Sequence, residues 1–119
     1  MTKKILVVDD DPVIVKYIVK VLNDNGYETC TAADGLEAMD KLQSEKPALI
    51  TLDLAMFEEW GPLFYRKFNK DPNYKGTQVI VITGLSLGEY AIRKAVATLK
   101  KPFDPDELMG VVRKTIGAP

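Results

Sequence analysis

Ile5-Leu6-Val7-Val8 is a run of four apolar residues, and Asp9, Asp10 and Asp11 follow it at once. A continuous apolar run without alternation is typical of a strand that is buried on both faces of a parallel sheet. Asp11-Pro12 is typical of a helix start, because aspartate caps the first turn and proline fits the first helical position. The stretch therefore predicts a central strand, then a group of carboxylates, then a helix.

The same order of strand and helix continues along the chain. Further strands are predicted at 27–31, 48–52, 79–82 and 97–100. A helix is predicted after each strand, and turn or capping residues mark most of the helix ends. Strands that alternate with helices of these lengths favour right-handed βαβ units. We therefore expect an α/β fold, a doubly wound parallel sheet of five strands with five helices.

Length and composition limit the function further. The chain has 119 residues, which fits one domain over 1–119. A net charge of −1 argues against direct binding to nucleic acid or to an anionic membrane. The short apolar run near the N-terminus is no secretory signal, and a single cysteine fits a reducing compartment, so we expect a cytoplasmic protein. The chain contains no histidine, which excludes histidine-dependent catalysis and the common zinc sites.

Polar residues follow the predicted buried strands. Asp9 and Asp10 follow the first strand, and the later ones end at Asp53, Thr83 and Lys101. The carboxyl ends of parallel strands lie at one edge of the sheet, where ligands bind. One such residue alone would be an ordinary strand-end residue, but four strands with the same feature predict a site.

Three carboxylates in one crevice repel one another, so at neutral pH they require either a cation or raised pKa values. Mg²⁺ suits oxygen ligands and commonly binds one or two carboxylates together with a phosphate oxygen. Asp53 can then act as a nucleophile towards phosphorus and form an aspartyl phosphate. Lys101 can neutralise charge on the phosphoryl oxygens, and Thr83 can donate one hydrogen bond to them.

These residues resemble the receiver domains of two-component response regulators, over essentially the whole chain. Val7 to Asp11 is similar to the family's acidic pair after the first strand. Asp53 to Met56 with Gly61 resembles the phosphoacceptor loop. Thr83 resembles the switch threonine, and Lys101-Pro102-Phe103 the signature lysine. Each motif alone is common, but the ordered set is specific.

The resemblance implies a flavodoxin-like sheet of order 2-1-3-4-5. It implies that Asp10 and Asp53 bind Mg²⁺ directly with the Ala55 carbonyl oxygen, and that Asp9 acts through water. It also implies a histidine kinase or a histidine phosphotransfer protein as phosphodonor, and a change of conformation on phosphorylation, with an unknown downstream target. The chain would then be no enzyme for other substrates. Ala55 and Leu85 would flank the path of an attacking water, and both are apolar, so the resemblance implies slow self-dephosphorylation.

Three features depart from the family pattern. Phe57 replaces a usual proline, Thr98 stands where many receivers have an aromatic residue, and the segment from Thr83 to Lys101 is a few residues short. These departures leave open a phosphorylation-independent interaction module on the same fold. A phosphatase of the haloacid dehalogenase type is a further alternative, but it would need a second aspartate at the position of Ala55.

Overall fold

The computed structural model describes residues 3–53, 66–67, 70–74, 76–83, 97–101 and 103–119. Nine elements lie in these residues, in chain order: β1 (Lys4–Val8), α1 (Pro12–Asp24), β2 (Glu28–Ala32), α2 (Gly35–Glu45), β3 (Leu49–Leu52), a 3₁₀ turn (Pro72–Tyr74), β4 (Gln78–Thr83), β5 (Ala97–Lys100) and the C-terminal helix α3 (Pro105–Ile116).

The strands form one parallel sheet in the order β2-β1-β3-β4-β5. Val8 is paired with Ala32 on one side and with Leu52 on the other, so β1 lies between β2 and β3. The predicted α/β fold with a parallel sheet is confirmed. The chain order reverses between β1 and β3, and this is where open parallel sheets bind their ligands.

Each face of the sheet carries its own apolar core. Leu6 and Val8 of β1 pack with the buried residues of α2, whereas Ile5 and Val7 pack with those of α1 and α3. All four side chains are essentially inaccessible to water. Successive strand residues point to opposite faces, and both faces are covered, so the apolar run of β1 has no polar position within it.

Local capping explains where the helices begin. The Asp11 carboxylate accepts a hydrogen bond from the Val13 amide at the start of α1. The Asp34 carboxylate accepts one from the Glu37 amide, and Glu37 in turn accepts one from the Ala33 amide. These contacts satisfy amide groups that a helix start leaves unpaired, as predicted from the sequence.

The end of α3 is hydrogen-bonded to residues at the amino edge of the sheet, the edge opposite the one at which Asp9 lies. Lys3 Nζ donates a hydrogen bond to the Ile116 carbonyl, and Tyr27 Oη donates one to the Gly117 carbonyl. Arg113 also donates to Asn25 Oδ1 at 2.7 Å, so the turn after α1 is held as well. Lys3, which directly precedes β1, and the residues at the end of α3 therefore lie close together.

β2 begins one residue later than predicted. The amide of Tyr27 donates to the Leu22 carbonyl and closes the turn after α1, so Tyr27 belongs to that turn. The predicted third helix, with Leu63, Phe64 and Phe68, and the predicted fourth helix, which begins at Ser86 to Glu89, lie mostly outside the described residues, although residues 66, 67 and 70 are helical. Within the described part of the chain, no helix has the length and apolar character needed to cross a membrane.

Candidate functional site

Asp9 and Asp53 are held by the backbone of the sheet. The Asp9 amide donates to the Ala32 carbonyl, and the Asp53 amide donates to the Val8 carbonyl, both at 3.1 Å. β1 and β3 are neighbours in register, so the two aspartates come side by side at the carboxyl edge of the sheet. Their exposed fractions are only 3% and 4%. Two carboxylates that are buried side by side need a compensating cation.

Lys101 supplies that cation. Its Nζ atom donates hydrogen bonds to Asp9 Oδ2 at 2.7 Å and to Asp53 Oδ2 at 3.1 Å. Its side chain is 21% exposed, so the ammonium group is partly shielded from water. One ammonium group is therefore shared by two buried carboxylates.

The pKa values of the pair reflect this environment. Burial raises the pKa of Asp9, and the negative charge of Asp53 adds to the rise, although the bonds from Lys101 and from the Asp11 amide act against it. Burial lowers the pKa of Lys101, but its hydrogen bond to Asp9 and the charges of Asp53 and Asp9 more than offset this, so the pKa of Lys101 is raised. Lys101 is therefore a permanent cation at neutral pH.

Asp10 completes a group of three carboxylates. Oxygen atoms of Asp9, Asp10 and Asp53 all lie within 4.8 Å of one another. Three negative charges against the single charge of Lys101 leave an excess of negative charge. A set of oxygen ligands with excess negative charge suits a hard divalent cation such as Mg²⁺. The residues present thus fit the metal that the sequence predicts.

The structure describes the positions of most of the predicted site residues, but not of all of them. The structure brings Asp9, Asp10, Asp53 and Lys101 together. Thr83 is the last residue of β4, next to Lys100 of β5, so its backbone lies at the same edge of the sheet. Ala55 lies outside the described residues. The role assigned to each residue stays a prediction.

Two features of this region were not predicted. The amide of Asp11 donates to Asp9 Oδ1 at 2.9 Å, so the beginning of α1 fixes the Asp9 carboxylate. Thr51 of β3 is 1% exposed, and its hydroxyl has no hydrogen-bond partner among the described residues. An unpaired buried hydroxyl costs about 1–3 kcal/mol of stability. The position of Thr51 inside a predicted buried strand was a signal that could have revealed it.

Comparisons with known proteins agree with this site. The family model of the response regulator receiver domain matches residues 5–113. Protein Rrf1 of Nitratidesulfovibrio vulgaris is 34% identical over 98% of this chain and 84% of its own length. Sporulation initiation phosphotransferase F of Bacillus subtilis is also 34% identical, over 96% of this chain and 94% of its own length.

Other relatives and solved structures extend the match. Response regulator Rre1 of Synechocystis is 33% identical, and this chain spans about half, 51%, of its length. The structure of the chemotaxis response regulator CheY4 of Vibrio cholerae superposes with a TM-score of 0.85 at 30% identity, over 98% of this chain and all of that one. Because the family model covers nearly all of the chain, and the strand-end carboxylates and lysine meet at one edge of the sheet, this chain belongs to the receiver domain family of two-component response regulators.

Proposed function

We propose that Asp53 accepts a phosphoryl group from a phosphohistidine, with Mg²⁺ bound beside it, and that the domain then changes conformation. The observation that supports this best is the Lys101 ammonium group, which bonds both Asp9 and Asp53 at the point where the chain order of the sheet reverses. The proposal includes Asp10, Asp53 and the Ala55 carbonyl as direct metal ligands, with Asp9 acting through water.

In the proposed step, an oxygen of the Asp53 carboxylate attacks phosphorus and forms a new O–P bond. The N–P bond of the phosphohistidine breaks, its electron pair stays on the imidazole nitrogen, and the imidazole takes up a proton. Bound Mg²⁺ supplies charge neutralisation at the phosphoryl oxygens. Lys101 can follow those oxygens with its ammonium group, and Thr83 can donate a hydroxyl hydrogen bond to one of them.

The phosphohistidine lies outside the given sequence, because this sequence contains no histidine. We propose a histidine kinase or a histidine phosphotransfer protein, which would approach the site along the exposed side of α1. There, Val13 is 72% exposed, and a groove bordered by Pro12 and Lys16 leads to Asp9 and Asp10. The downstream target is unknown, and we propose that this chain itself makes no direct contact with nucleic acid or membrane.

The proposal also includes the complete set of strands and helices, the location of the domain in the cell and its lack of other enzymatic activity. It has five strands that alternate with five helices. Of the two further helices, one follows a loop after Asp53 and carries Leu63, Phe64 and Phe68, and the other begins at Ser86 to Glu89. It places the domain in the cytoplasm, where a lone thiol such as Cys30 stays reduced. Apart from transfer to its own Asp53 and slow loss of the phosphoryl group, the domain would turn over no substrate.

The test is phosphorylation by acetyl phosphate, a small acyl phosphate, with the product followed by intact mass. We expect one phosphoryl group to be added in Mg²⁺, little in EDTA, and none in Asp53→Asn. A hydroxylamine-labile linkage would identify an acyl phosphate. If wild type and Asp53→Asn gained a phosphoryl group equally in Mg²⁺, Asp53 would not be the acceptor and the proposal would be wrong. If neither protein gained one, an interaction module that needs no phosphorylation would replace the proposal.

A further inference from the structure

Thr51 is a buried polar residue that the proposed chemistry does not use. It is 1% exposed, and within the described ranges its Oγ1 is the only buried side-chain polar atom without a hydrogen-bond partner. Buried polar groups are nearly always paired, so an unpaired one in a native structure requires an explanation. Valine has nearly the same shape, favours strands and would carry no unpaired group.

The position of Thr51 relates it to the site. Thr51 and Asp53 are two residues apart, so their side chains lie on the same face of the sheet. Thr51 is paired with Val7 of β1 and with Ile80 of β4. Val7 in turn precedes Asp9 by two residues. Thr51 therefore lies one step below the Asp9–Asp53 pair, on the face that Lys101 reaches.

Apolar side chains surround Thr51 on its other sides. Val7, Leu49 and Ile80 belong to the apolar core on this face, and none of them can accept or donate a side-chain hydrogen bond. The nearest polar groups along the face, among the residues that the structure describes, are those of the Asp9–Asp53–Lys101 cluster. If the hydroxyl has a function, that cluster is its partner.

The distance along the strand and the number of N–H donors on Lys101 favour an indirect contact between the Thr51 hydroxyl and the Lys101 ammonium group. Residues two apart on a strand are separated by about 6.6–6.8 Å, too far for most direct side-chain hydrogen bonds and suited to one bridging water. An ammonium group has three N–H donors, and the structure records two hydrogen bonds from Lys101, to Asp9 and to Asp53. A buried water needs about three polar partners, and Thr51, Lys101 and a carboxylate can supply them.

We propose that Thr51 is a positioning residue of the phosphoacceptor site, whose hydroxyl holds the Lys101 ammonium group through one buried water. This inference rests on the proposed function and deepens it. When Asp53 is phosphorylated, its carboxylate loses its charge, and Lys101 exchanges part of its bonding to Asp53 for the phosphoryl oxygens. A second anchor below Lys101 keeps its ammonium group at the site during that exchange.

A matched pair of variants tests the hydroxyl. Thr51→Val keeps the shape and removes the hydroxyl, whereas Thr51→Ser keeps the hydroxyl and removes a methyl group. The first measurement is the exchange rate of the Lys101 ammonium protons with water, by NMR of the metal-free protein. The second is the phosphorylation rate with acetyl phosphate in excess Mg²⁺, and the urea midpoint is measured alongside.

We expect Thr51→Val to lower the urea midpoint, to accelerate ammonium exchange and to lower the phosphorylation rate, each rate by about fivefold, which is the loss expected for one hydrogen bond. Thr51→Ser should keep both rates near wild type even though its midpoint falls. The inference is overturned if Thr51→Val only gains stability with both rates unchanged, or if Thr51→Ser loses the rates as Thr51→Val does. Absence of phosphorylation in wild type would instead overturn the proposed function, while ammonium exchange would still report on Thr51.

Discussion

At the scale of single residues, the lifetime of the phosphoryl group depends on what orients an attacking water. Hydrolysis needs a water in line with the bond that breaks, opposite the aspartyl oxygen. We infer from the resemblance to other receivers that Ala55 and Leu85 would flank that approach, and neither side chain can hydrogen-bond a water. Both residues lie outside the described part of the chain.

We therefore predict that phosphorylated wild type loses its phosphoryl group more slowly than Ala55→Asn or Leu85→Glu. The amide or carboxylate would orient the water and accelerate hydrolysis by about 10-fold or more. The decay is followed by intact mass in excess Mg²⁺ after the phosphodonor has been removed. Wild-type decay as fast as that of both polar variants would show that these two positions do not control the lifetime.

At the scale of elements, one ion pair connects the beginning of β1 to the end of α2. Lys4 Nζ lies 2.8 Å from Glu45 Oε1. The bond from Lys4 lowers the pKa of Glu45, and the bond to Glu45 raises the pKa of Lys4 against a small effect of burial. A carboxyl with a lowered pKa stabilises the fold above its unfolded pKa, and this stabilisation is lost as pH falls through the folded value.

The pair should therefore stabilise the protein at neutral pH and lose its effect in acid, below the ordinary glutamate pKa of 4.5. In alkali the effect is lost as pH rises through the raised pKa of Lys4, above 10.5. We expect Glu45→Gln to lower the urea midpoint slightly at pH 7 and to match wild type near pH 3. Salt should reduce the difference between the two midpoints, because both side chains are partly exposed to solvent. If the difference in urea midpoint between Glu45→Gln and wild type persisted unchanged in acid, it would result from packing and not from charge.

The elements also show what sequence can predict. Asp11-Pro12 and Asp34 mark the beginnings of α1 and α2 correctly, because a cap is formed by residues within one turn of each other. The two hydrogen bonds from Lys101, to Asp9 and to Asp53, join residues that are far apart in the chain, so no local sequence pattern contains them. The sequence predicts that these groups meet at one edge of the sheet. It does not predict which carboxylate oxygen accepts a hydrogen bond from Lys101. It also does not predict that the Thr51 hydroxyl has no hydrogen-bond partner among the described residues.

At the scale of the whole molecule, the site costs stability until a metal binds. Asp9, Asp10 and Asp53 place three carboxylates within 4.8 Å of one another around one ammonium group. Unit charges at about this distance repel by roughly 1–4 kcal/mol, according to the local dielectric. A cation that binds only the folded state reverses the balance and stabilises it by mass action.

We predict that Asp10→Asn is more stable than wild type by about 1 kcal/mol in EDTA, because one repelling charge is removed. In Mg²⁺ at tenfold its dissociation constant, wild type should gain about 1.4 kcal/mol, and Asp10→Asn should gain little. Urea unfolding with and without Mg²⁺ measures both effects. Asp40→Asn, at an exposed position of α2, is the control and should respond to Mg²⁺ like wild type. An equal Mg²⁺ response in Asp10→Asn would move the metal to other ligands.

The contacts at the end of α3 have a consequence for chain connectivity. Lys3 and Tyr27 donate hydrogen bonds to the carbonyls of Ile116 and Gly117, and Pro119 lies against Gly26, so Lys3 and the residues after α3 lie at the same edge of the sheet. A short peptide could join them into a ring without crossing the sheet, and ring closure removes freedom mainly from the unfolded chain. New termini could then be opened at Lys46, which ends α2 in a left-handed conformation at the edge of the sheet away from Asp53. The order in which the strands occur along the chain would change, while their order in space, and with it the phosphoacceptor site, would stay the same.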